Sequence, residues 1–161
     1  MSVFDELETQ YNEIEEWYSS LQFQTVRRGC ATEATEYQKR RKINDQAYFL
    51  FMFTRLEDRI REESAKLIRR EKGSISSWKQ RAPWDILHSQ LEKRKKTQFH
   101  QGLNFKTCLA LLTEKGASDF NLVLCYYEER NSIAHGGNFT KPISVPTVAS
   151  ELKRLYEVLK A

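Results

Sequence analysis

The chain reads as an all-α protein, an up-and-down bundle of four main helices with an extra N-terminal helix and short additional helices. Three observations predict it. Apolar residues recur at alternating intervals of three and four, strand-like alternation is absent over any useful length, and only three prolines and six glycines interrupt the 161 residues. That length is one ordinary domain. Residues 1–161 are therefore expected to form a single helical domain, with 1–34 an acidic N-terminal helical extension and 43–160 the core bundle.

Phe4, Leu7, Tyr11, Ile14, Tyr18 and Leu21 follow one another at 3, 4, 3, 4 and 3 residues, one apolar stripe on a first helix. Glu6, Glu8, Glu13, Glu15 and Glu16 fill its other faces, and it ends near Arg27-Arg28-Gly29. Thr35 and Gln38 have capping-box spacing and open a second helix through Ile43, Ala47, Leu50, Leu56, Ile60 and Ile68 to Gly73, with a break before Asp45 left open. Tyr48, Phe49, Phe51 and Phe53 face nearly all round it, which suggests several neighbours or a subunit partner. Residues 73–82 read as a loop, and Pro83 suits the first turn of a short helix that closes in a basic run. Asn104 caps a helix carrying Phe105, Cys108, Leu109, Leu111 and Leu112. Ser118 or Asp119 caps the next, which carries Phe120, Val123, Leu124, Tyr127 and Ile133 until Gly136-Gly137 ends it. Val148, Leu152, Leu155 and Leu159 mark the last.

Charge is uneven. Residues 1–34 sum to −5, residues 35–100 to +8 and the rest to +1, within a net +4. A basic middle behind an acidic leader points either to a polyanion or to an acidic helix lying on a basic surface of its own protein. Lys39-Arg40-Arg41-Lys42 and Lys93-Arg94-Lys95-Lys96 are the runs that would track RNA phosphates, or serve as solvated helix faces. Three cysteines without a CxxC give neither a disulfide framework nor a zinc knuckle. No apolar run approaches a membrane span, and MSVFDELETQ is acidic where a signal peptide is basic. A cytoplasmic protein with no membrane partner is expected.

One stretch carries chemistry: Glu128-Glu129-Arg130-Asn131-Ser132-Ile133-Ala134-His135-Gly136. Asn131 and His135 are four apart and share a helix face. Arg130 lies about 140° round from His135, so its side chain bends back or meets a second copy of the motif. His135 falls in the last turn, where the negative end of the helix dipole suits a cation. Arg, Asn and His together suit a phosphate: Arg holds the phosphoryl oxygens, Asn orients and His moves protons. No carboxylates, cysteines or further histidines stand at metal-ligand spacing, so neither metal nor cofactor is expected.

Arg-Asn-x-x-x-His-Gly on the penultimate helix of an all-α chain resembles the motif of the HEPN superfamily (higher eukaryotes and prokaryotes nucleotide-binding). LNFKTCLALLTEKG before the motif helix and the aromatic helix at 43–68 fit too, and the resemblance covers roughly residues 43–160. It implies a metal-independent endoribonuclease, often a toxin or antiviral defence effector with a cognate antitoxin protein. It also implies a homodimer in which Arg130, Asn131 and His135 of both copies line one cleft and act on RNA. Glu57 or Asp58 matches the acidic residue that often joins this cleft. Gly137 departs from one branch of toxins that carries tyrosine there, so control through that tyrosine is not expected. The alternative is a non-catalytic HEPN module that binds nucleotide, RNA or a protein partner.

Overall fold

The computed structural model describes residues 2–96 and 103–161, the side chains of 93–96 excepted. It is all-α, with six helices and, among the described residues, no strand. They are α1 (Val3–Arg27), α2 (Ala31–Ser74), α3 (Trp78–Lys96), α4 (Phe105–Leu112), α5 (Ser118–Ala134) and α6 (Val145–Val158). None is long and apolar enough, among the described residues, to cross a membrane. Two compact units divide the chain: residues 1–55 with 126–154, and residues 56–125 with 155–161.

In the first unit α1 begins with a capping box. Ser2 Oγ accepts from the Asp5 N–H and Asp5 accepts from the Ser2 N–H, so two of the four orphan donors at the helix start are satisfied. It ends where Gly29 takes φ +75°, with the Cys30 and Gly29 N–H groups returning to Thr25 and Val26. That reversal sets α2 beginning at Ala31, four residues before the expected Thr35. Thr35 lies inside the helix, where its hydroxyl donates to the Ala31 carbonyl at 2.9 Å. No break precedes Asp45; α2 is one helix of 44 residues.

The α1–α2 hairpin is antiparallel, because pairing partners descend α2 as they climb α1. Tyr11 donates to Asp45 (2.8 Å) and lies edge-on to Tyr48, while Tyr18 meets Tyr37 further along. Arg41 donates to Glu15 (2.6 Å) and Gln22 (2.8 Å). The acidic leader therefore does rest on a basic residue of its own chain. Phe49, Met52 and Phe53 are fully buried, and Phe49 meets Phe53, Tyr126 and Phe139 ring to ring. Each such side chain contributes about 1.5–3 kcal/mol by leaving water. Phe51, on the other side, is 56% exposed. Lys153 of α6 reaches Asp5 of α1 at 2.5 Å.

In the second unit, Leu56, Ile60, Ile68, Leu109 and Leu155 are fully buried. The guanidinium groups of Arg59 and Arg61 lie over the Tyr156 and Phe105 rings. Glu63, almost fully buried, takes Arg59 and Lys66 and accepts from the Ala161 N–H. Here α3 departs from the sequence reading: it starts at Trp78, so Pro83 lies inside it rather than in its first turn. Pro83 and Lys79 are both exposed, which leaves the carbonyl that loses its donor on the solvent side. Asn104 caps α4 as its spacing predicts, accepting from the Thr107 N–H at 2.8 Å. By contrast Ser118 is the first helical residue of α5 rather than its cap, and the first backbone bond runs from Asn121 to Ala117.

Candidate functional site

The C-terminal turn of α5 holds Arg130, Asn131 and His135. It is a Schellman stop: the Gly136 N–H returns to Ile133 and the Gly137 N–H to Ser132, both at 2.9 Å. Each glycine has its own reason. Gly136 takes φ +81°, which side chains resist, and a Cβ at Gly137 would lie 2.8 Å from the Ser132 carbonyl. His135 is thereby the C-cap residue, its N–H still bonded to the Asn131 carbonyl at 3.2 Å. Its ring is exposed, and no side-chain partner holds it among the described residues.

Arg130 is bonded to its neighbour in the chain. The guanidinium donates to Asn131 Oδ1 at 3.1 Å, and both side chains are half-buried. Two further contacts hold the chain that leaves the turn. Ser132 Oγ donates to the Asn138 carbonyl at 2.9 Å. Glu129, 1% exposed, accepts from the Thr140 N–H at 2.7 Å and from its hydroxyl. A carboxylate so deeply buried needs such donors to offset its lost hydration. Sequence reasoning did not see this clasp, since nothing in the spacing of Glu129 and Thr140 marks a bond across a connector.

The other expected site residues have varied surroundings. Glu57, buried in the second unit, accepts both Nε and Nη2 of Arg61, at 3.1 and 2.6 Å. Asp58 in the same unit is exposed and lines a shallow hollow with Arg61, Glu62 and Arg69. Of the first basic run, Lys39 and Lys42 are exposed, Arg40 pairs with Glu36 at 3.5 Å, and Arg41 is committed to α1. Lys93, Arg94, Lys95 and Lys96 close α3, with side chains outside the described residues. Among the described residues no three His, Cys, Asp or Glu side chains gather where they could hold a metal ion.

One polar group on α2 comes to the same stretch of chain. Gln46 Nε2 donates to Asn138 Oδ1 at 3.1 Å, three residues beyond His135. Next to Gln46, Asp45 is half-buried, and that burial pushes its carboxyl above the usual carboxylate range. The Tyr11 hydroxyl opposes the rise, Glu15 adds to it and Arg41 opposes it. No family model, curated protein or solved structure matches the chain.

Proposed function

We propose that this chain is a metal-independent endoribonuclease of HEPN type, a toxin or antiviral defence effector that cleaves RNA at a composite site formed by a homodimer. The observation that carries the reading is the α5 turn: an exposed His135 on a backbone held by two glycines, at the same helix end as an Arg130 bonded to Asn131. A rigid turn holding an imidazole and a guanidinium suits general acid–base work on a phosphodiester.

The chemistry needs no external nucleophile, because in RNA the 2′-hydroxyl already stands beside the scissile phosphorus. His135 of one copy takes the proton from that hydroxyl, and the oxygen attacks phosphorus. The phosphorus–O5′ bond breaks, and the second copy's histidine gives the leaving oxygen its proton. The two Arg130 side chains offset the charge that grows on the phosphoryl oxygens. Exposed Trp17, Phe23, Val26, Ile43 and Phe51 supply apolar surface for a second copy to cover.

Incubation with a labelled single-stranded RNA in EDTA tests the reading. It expects cleavage that leaves 2′,3′-cyclic phosphate and 5′-hydroxyl ends and stops at 2′-O-methyl positions. Cleavage that demands Mg²⁺, or that cuts 2′-O-methyl RNA equally well, contradicts it.

A further inference from the structure

Directly after the α5 turn, the first unit contains a cavity of about 260 Å³ lined by Lys42, Asp45, Gln46, Asn138 and Phe139. The bond from Ser132 Oγ to the Asn138 carbonyl ties its rim to the turn that carries His135. Asn138 of the lining follows His135 by three residues, so the cavity and the proposed reacting centre share the chain that leaves the turn.

The lining has the chemistry of a base-reading pocket. Phe139 offers a flat apolar ring, itself held edge-on to Phe49 with centroids 5.3 Å apart. Gln46 and Asn138 are joined by one bond, which leaves Gln46 Oε1 as an acceptor and Asn138 Nδ2 as a donor. Lys42 is exposed and has no hydrogen-bond or ion-pair partner among the described residues. Asp45 is half-desolvated, with one oxygen accepting from Tyr11 at 2.8 Å. A ligand N–H aimed at its other oxygen would gain a charge-assisted hydrogen bond in partly desolvated surroundings. Unpaired RNA bases are read in this manner, by stacking on an aromatic ring and hydrogen bonds along the Watson–Crick edge.

The carboxylate selects among the bases. Guanine presents two adjacent donors, N1–H and N2–H, with no acceptor between them. Adenine and cytosine each set a ring nitrogen lone pair next to their amino group, and uracil flanks its single N–H with two carbonyls. Each of those lone pairs would face the negative Asp45. Guanine O6, on the same edge, can accept from Asn138 Nδ2 or Lys42.

We propose that this cavity is a guanine subsite, seating an unpaired guanosine of the RNA beside the phosphate attacked at His135. The expectation that RNA brings the base rests on the ribonuclease reading; recognition of the base does not. Calorimetric titration with 3′-GMP, 3′-AMP, 3′-CMP and 3′-UMP tests it together with mapping of the cut sites in an unstructured RNA. The guanosine nucleotide should bind at least about tenfold tighter than the other three; Asp45→Asn should abolish that margin and Asn138→Ala should narrow it. Asn138 is exposed in the connector, so its variant keeps the test valid even if Asp45→Asn fails to fold. Equal affinity for all four nucleotides, or a margin that survives both substitutions, overturns the subsite. Guanosine preference in binding without RNA cleavage upholds the subsite and sinks the ribonuclease reading. Cleavage indifferent to guanosine and unchanged by Asp45→Asn does the reverse.

Discussion

The aromatic stretch of α2 and the last turn of α5 lie in the same unit and are held by opposite means. Phe49, Met52 and Phe53 are fully buried, and what fixes them is apolar area and ring contact. At the α5 end Ala134, His135, Gly136 and Gly137 are exposed, and what fixes the chain is a set of directed bonds: the Schellman pair, the Glu129–Thr140 clasp and Ser132 on Asn138. Apolar packing tolerates rotation and repacking, whereas a bonded reversal has one geometry. A turn built this way can afford an exposed histidine, because its shape does not depend on what His135 touches.

That contrast breaks first in the core. Phe53→Ala should cost about 3–5 kcal/mol, seen as a lowered denaturant midpoint. A loss under about 1 kcal/mol would show that the aromatic stretch is less tightly packed than its burial implies.

Gly137→Ala comes next. The added Cβ meets backbone at 2.8 Å, so the reversal must shift, at a cost of about 1–3 kcal/mol. RNA cleavage should fall more than stability does, since His135 moves with the turn. A variant with parental stability and activity would show that the bonded reversal is more plastic than the contrast allows.

Asp45→Asn should have the smallest effect, and a positive one. The folded carboxyl holds its proton more readily than the unfolded one, so its ionisation disfavours folding above the ordinary carboxylate range. Asparagine removes that cost and can still accept from Tyr11. The gain should be present at pH 7. It should fade as pH falls through the carboxylate range, where the parent is protonated too. Melting curves at several pH values measure it. A destabilised variant at pH 7 would mean that Tyr11 and Arg41 outweigh burial.

Periodicity made the helices legible: the stripe from Phe4 to Leu21, the cap at Asn104 and the stop at Gly136-Gly137 all rest on rules that act within a few residues. The misplacements have the same origin. Thr35 and Gln38 satisfy capping-box spacing, yet the reversal at Gly29 starts α2 sooner, and Pro83 marks a first turn only where nothing upstream is already helical. In the candidate site, Arg130, Asn131 and His135 stood out as a set because they share a single helix end. Gln46, Asp45 and Asn138 were not, since the pairing of α2 with the connector joins residues 92 apart in the chain.

The most direct test of the central claim, that the α5 end is a reacting site whose shape is independent of His135, is a paired measurement on His135→Ala. Its melting temperature and its rate of RNA cleavage in EDTA are compared with the parent's. The account predicts a stability change within about 0.5 kcal/mol and a rate at least about a hundredfold lower. Parental activity, or a loss of stability as large as that of Gly137→Ala, would contradict it.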